Sequence, residues 1–204
     1  MPNGLDKLHL YNNVLIGYKK GVNEDSRPRK MTKIFTFGTN GKSPKNFFEI
    51  LTKNKIDLLL DIRLNNKSQL AGFAKGGDEY LGYLLNKITG IKYIYDPYFA
   101  PTDEILDKYR KDKNHILIED KEYNSSDIEK ALDKLDKYRK DKNWNNYVNG
   151  FNKIIETRNF KKYFQNKYNK YSNVCLLCAE ETPEQCHRRL VAESIINKKD
   201  INHL

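Results

Sequence analysis

Cysteine is scarce in this sequence and its number is odd: three in 204 residues. A domain held by disulfides carries an even set, so the chain reads as a protein of a reducing compartment, with the cytoplasm as its expected location. No stretch approaches the roughly 20 apolar residues of a membrane span, and no membrane partner is expected. The N-terminus, MPNGLDKLHLYNNVLIGYKK, lacks a basic start followed by a continuous apolar core, which argues against a secretory leader. Acidic charge is also short: 27 Asp and Glu stand against 37 Lys and Arg, for a net charge of +10. That balance favours polyanions through counterion release without choosing among them. The excess is concentrated at residues 131–170, where 11 basic residues meet 4 acidic ones.

With 38% hydrophobic residues, the composition suits one domain and an appendage. Residues 1–31 read as an N-terminal arm and 32–204 as a single α/β domain. KIFTFG (33–38) is a β-rich run ending in glycine. SPKNFFEILTKN (43–54) is a helix with Ser43 as N-cap and Pro44 in its first turn. IDLLLDIR (56–63) is continuously apolar up to Asp61, as in a parallel strand buried on both faces. LNNKSQLAGFAKGG (64–77) is a polar loop, DEYLGYLLNKITG (78–90) a helix stopped by Gly90, and IKYIYDP (91–97) a strand. From 103 to 172 the pattern is helical. LDKYRKDKN occurs at 106–114 and again at 135–143, too few copies for a solenoid, and reads as one added helical hairpin around 103–143. NVCLLCAE (173–180) is the next strand. TPEQCHRRLVAESIINKK (182–199) is the last helix, with Thr182 and Gln185 as a capping box and Pro183 at its first position. Alternation of strands and helices predicts a mainly parallel sheet of four to five strands covered on both faces, a Rossmann-like three-layer fold with an added helical segment.

Sites in such sheets lie at the carboxyl ends of the strands. That rule gathers Thr39, Asp61, Arg63, Cys178 and Glu180, with Cys186, His187, Arg188 and Arg189 from the start of the last helix. GTNGKS (38–43) is no phosphate-cradling loop, because two residues rather than four separate its glycines, although Lys42 can meet an anion there. The cysteine spacing lacks the pairs usual for zinc. Cys175 and Cys178 point to opposite faces of a strand, and residues 186 and 187 diverge by about 100° on a helix. Neither metal nor cofactor is therefore expected. Asp61 has two readings: an anchor for Arg63, or an acid/base group between arginines. Cys178 and Cys186 also have two: small buried residues, or thiols activated by His187 and the arginines. TRNFKKYFQNKYNKY (157–171) interleaves five basic with five aromatic residues. Its rings recur at helical spacing and pack inward, leaving Lys161, Lys162 and Lys167 as a stripe suited to nucleic acid.

Together FTFGTNGKSPKNFFEIL, IDLLLDIRLNNKSQLAGFAK, YFAPTDEILDKYRK, WNNYVNGF and LLCAEETPEQCHRRLVAE resemble the domain of unknown function DUF488, the YeaO-like proteins, over roughly residues 33–197. The resemblance implies an α/β domain whose polar site includes Asp61, Arg63, Ser68, Phe73, Cys178, Glu180, Cys186, His187 and Arg188. Many members carry histidine and serine where this chain has Thr39 and Asn40. The resulting expectation is a protein that binds, and in the enzymatic version processes, a phosphate-bearing ligand of nucleotide or nucleic-acid class. Arg63, Arg188 and Arg189 would grip the anion, while Asp61 or Glu180 and His187 would move protons. A thiol-dependent enzyme and a non-enzymatic nucleic-acid-binding module are the alternatives.

Overall fold

A computed structural model describes residues 31–67, 72–114 and 125–204, so the expected N-terminal arm up to residue 30 and Ser68 lie outside the described residues. Five strands, β1 (Lys33–Gly38), β2 (Leu58–Asp61), β3 (Lys92–Tyr95), β4 (Asn173–Cys178) and β5 (Ile201–His203), form one sheet in the order β3-β2-β4-β1-β5. Every pairing is parallel. All four residues of β2 are buried, as are five of the six in β1 and in β4, because helices cover both faces of the centre. Each fully buried leucine of β2 contributes about 1.5–3 kcal/mol of transfer free energy.

Strand alternation sorts the core into two layers. Ile34, Leu58, Leu60, Val174 and Leu176 pack with Phe151, Phe160, Phe164 and Leu190 on one face. Phe35, Phe37, Leu59, Cys175 and Leu177 pack with Phe47, Leu51 and Leu85 on the other. The second face is covered by α1 (Pro44–Lys53) and α2 (Tyr83–Thr89). Ser43 caps α1, its Oγ accepting the Asn46 amide at 3.2 Å. Gly90 closes α2 in the left-handed region at φ 74°, where a side chain would strain the backbone. The first turn of the expected 78–90 helix, Asp78–Gly82, is wound as a π-helix.

The first face carries α3 (Asp103–Asn114), α4 (Ser125–Arg158), α5 (Phe160–Tyr168) and α6 (His187–Ile195). Helices α3 and α4 run antiparallel: Ile105 lies against Gly150, whereas Tyr109, one turn later, meets Trp144 and Tyr147. The added segment is thus a helical hairpin over its described parts. Asn159 separates α4 from α5 with φ 48°, and its Oδ1 accepts the Lys162 amide at 3.2 Å. Phe160, Phe164 and Tyr168 are buried while Lys161 and Lys162 stay exposed. No helix of the described residues is long and apolar enough to cross a membrane.

The last helix differs from its expected span at both ends. It starts at His187, not Thr182, because Pro183 opens a turn closed by the Cys186 amide on its carbonyl at 3.2 Å. Cys186 is then the N-cap, in extended backbone at φ −127° and ψ 138°. The helix stops at Ile195 because Ile196 is extended, and the chain returns to add β5 at the sheet edge. Three residues are too short to show a strand period, so β5 left no mark in the sequence pattern.

Candidate active site

The last residue of β4 shares its face of the sheet with Val174 and Leu176, two and four positions earlier. Cys178 therefore projects toward α4 and α6. There its Sγ lies 3.7 Å from Nδ1 of His187, the first residue of α6. The other ring nitrogen of His187 is 3.0 Å from the Ile62 carbonyl. A carbonyl only accepts, so Nε2 carries a proton and, in the neutral ring, Nδ1 is left with its lone pair toward Cys178. Cys186, extended rather than helical, turns its sulfur to the same point. The Cys178, Cys186 and His187 donor atoms all lie within 4.8 Å of one another, and all three residues are buried. The expected divergence of residues 186 and 187 does not arise, because only His187 belongs to the helix. That corrects the geometric ground on which a metal was set aside.

The two thiols and the imidazole shift one another's proton affinities. A hydrogen bond from the Cys186 thiol, together with His187, holds the Cys178 thiol well below its ordinary range against the opposing effect of burial. Burial and the neighbouring Cys178 push Cys186 well above it. Burial lowers His187, but Cys178 outweighs it and the net shift is upward. The third cysteine, Cys175, lies on the opposite face, fully buried, and burial alone drives its thiol upward.

The cluster forms the floor of a cavity of about 660 Å³. Trp144, Tyr147 and Tyr109 line one wall, with Trp144 and Tyr147 stacked at 5.1 Å between ring centroids. Arg63, Asn40 and Glu180 also line it. Burial, then the charges of Cys186 and Cys178, pushes the Tyr147 phenol upward. Leu106 and Tyr109 of this wall belong to the first repeat copy on α3, whereas Trp144 and Tyr147 follow the second copy on α4. The rings were not singled out from the sequence, and Asn40 was named only as a departure from the residue many family members carry. WNNYVNGF, which carries Trp144 and Tyr147, was the one available signal.

The structure separates several residues expected to work together. Asp61 shares its face of β2 with Leu59, opposite to Cys178, and does not line the cavity. Its two carboxylate oxygens accept four hydrogen bonds: the Arg63 amide at 3.2 Å, Nε at 2.8 Å, Nη2 at 2.6 Å and the Tyr93 hydroxyl at 2.7 Å. Of the two readings of Asp61, this saturated and fully buried geometry fits the anchor for Arg63 and offers the acid/base reading no free oxygen facing the cavity. Arg63 Nη2 also donates to the Ala74 carbonyl at 3.0 Å. Burial would lower the Arg63 guanidinium, but Asp61 raises it further, so the charge is fixed.

Arg188 is 1% exposed, and its guanidinium donates to the carbonyls of Glu180 and Glu181. Through these bonds it braces the loop over the cluster. Gly38 is needed beneath that loop: a Cβ there would stand 1.8 Å from the Glu180 carbonyl oxygen. Arg189 lies over the Trp144 ring at 5.8 Å and pairs at 4.0 Å with Glu193. The expected three-arginine anion grip is therefore not assembled. Thr39 is buried, its amide bound to the Cys178 carbonyl at 3.1 Å, and Lys42 does not line the cavity. Phe73 packs on Phe47 at 5.3 Å in the core of the opposite face. Lys167 reaches Asp96 at 3.2 Å, so Lys161 and Lys162 are the less engaged lysines of the stripe.

The architecture and the cluster define a three-layer parallel α/β protein with a sulfur- and imidazole-floored cavity at the carboxyl ends of its strands. A family model described as "Domain of unknown function DUF488" matches residues 43–135 and 123–195, more than half of the chain. The chain belongs to this family. The two matches overlap at residues 123–135, most of which belong to α4. Searches of curated proteins and of solved structures each return no match.

Proposed function

We propose that this protein is an enzyme that takes a small, flat, polar ligand of nucleotide class into the cavity and acts on it with Cys178, Cys186 and His187. The observation that carries this reading is the convergence of three reactive side chains, each largely buried, where they line an open cavity. The wall of Trp144, Tyr147 and Tyr109 supports a planar ligand body. Arg63 and Asn40 supply polar contacts, and the net charge of +10 supports an anionic ligand.

Cysteine footprinting on chelator-treated native protein tests the reading. Iodoacetamide labels Cys178 before Cys175, and a saturating nucleotide slows Cys178 labelling several-fold, read by peptide mass mapping. Trp144→Ala removes the protection. Cys178 silent in the folded protein yet labelled in urea would overturn the accessible centre. Labelling that no nucleoside or nucleotide slows would overturn the ligand class.

A further inference from the structure

The same cluster has the dimensions of a coordination site. Zinc binds sulfur at about 2.3 Å and imidazole nitrogen at about 2.0 Å in tetrahedral sites, which sets the sulfur–nitrogen edge near 3.5 Å. The observed Cys178 Sγ to His187 Nδ1 separation is 3.7 Å. Cys186 Sγ lies within 4.8 Å of both atoms, so a small rotation of its side chain completes a triangular face. Among the described residues no other group of three such donors converges in this way.

Two independent features fit a metal better than a packed trio of core residues. His187 directs Nδ1 inward because Nε2 donates to the Ile62 carbonyl at 3.0 Å, the outer-shell arrangement that orients a metal-binding imidazole. The fourth side of the trio is the cavity itself, leaving room for water or substrate where structural zinc sites are closed by a fourth protein ligand.

We propose that Cys178, Cys186 and His187 bind one divalent cation of the zinc type, with its fourth coordination position open to the cavity. Glu180 lines the same cavity and is not a donor of the trio. With the metal bound, Glu180 would take a proton from the water at the open position, and the oxygen of that water would bond to an electrophilic carbon of the ligand. The bond from that carbon to its leaving group would break as Glu180 returns the proton to the leaving group. Metal binding itself does not rest on the ligand class proposed above.

Cobalt titration of the chelator-treated full chain is the test. One equivalent of Co²⁺ gives the visible bands of a tetrahedral ion and a thiolate-to-cobalt charge-transfer band, and zinc displaces it. Cys178→Ser, Cys186→Ser and His187→Asn each weaken binding by more than the roughly 10–100-fold that loss of an outer-shell partner produces. Azide alters the visible bands by entering the open position. Affinity unchanged in all three variants, or bound cobalt with no charge-transfer band, means an adventitious surface ion and overturns the proposal. Spectra indifferent to azide overturn the open position. If a variant does not fold, the wild-type protein still decides: zinc abolishes iodoacetamide labelling of both Cys178 and Cys186, and unchanged labelling refutes the site. Failure of nucleotide protection leaves these metal readings intact, so the two proposals fall separately.

Discussion

Replacing Asp61 with asparagine separates an anchoring carboxylate from a catalytic one. The side chain is fully buried and accepts two bonds from the Arg63 guanidinium, while Arg63 is itself only 4% exposed. Asparagine keeps the shape but removes the charge, leaving a guanidinium inside the protein without its counter-ion. Breaking one side of such a pair costs about 3–5 kcal/mol. For a chain of this size, each kcal/mol lowers Tm by roughly 2–4 °C, so Asp61→Asn should melt roughly 6–20 °C lower. Trp144 is the only tryptophan and packs in the core of the α4 face, so urea unfolding followed by its fluorescence reads the change directly. The double variant Asp61→Leu with Arg63→Met removes both charges and should recover most of the loss. Asp61→Asn within about 1 kcal/mol of the wild type, or a double variant no better than the single, would refute the anchor and reopen a chemical role for the carboxylate.

Gly38→Ala should cost at least about 1–3 kcal/mol, since the new methyl collides with the Glu180 carbonyl, and should alter Cys178 labelling; an unchanged denaturation midpoint would contradict the packing. Gly150→Ala should instead stabilise by about 0.5–1 kcal/mol, because the methyl meets Ile105 at 3.4 Å, near ordinary contact, inside a helix. Tyr168→Phe removes a 2.5 Å hydrogen bond to the buried Asp96 and should cost about 1.5–3 kcal/mol, whereas Lys167→Ala, whose side chain is 53% exposed, should stay below about 1 kcal/mol by the same urea assay. Should the basic stripe dock on a polyanion, neutralising Lys161 and Lys162 lowers the salt slope of binding to single-stranded nucleic acid by about 1.4. A slope untouched by that double change would remove these lysines from the interface.

The sheet was readable because burial on both faces leaves a continuous apolar run in β2 and in β4, and Ser43 and Gly90 mark helix ends by local chemistry alone. The meeting of Cys178, Cys186 and His187 at one rim was readable too, since parallel strands bring their carboxyl ends together. The sidedness of Asp61 was not. It depends on the register that sets Asp61 opposite Leu177, and so out of phase with Cys178, and register is fixed by contacts between strands rather than within one. The capping box at Thr182 was misleading as well. Its local signal was outcompeted by the turn at Pro183, whose carbonyl accepts the Cys186 amide, and residues 182–186 stay out of the helix. That displacement has a chemical consequence. Had the helix begun at Thr182, Cys186 and His187 would have pointed about 100° apart, and no shared centre could form. By ending the loop at an extended Cys186, that turn converts two neighbouring residues into converging donors, while Arg188 braces the loop beside them through the carbonyls of Glu180 and Glu181.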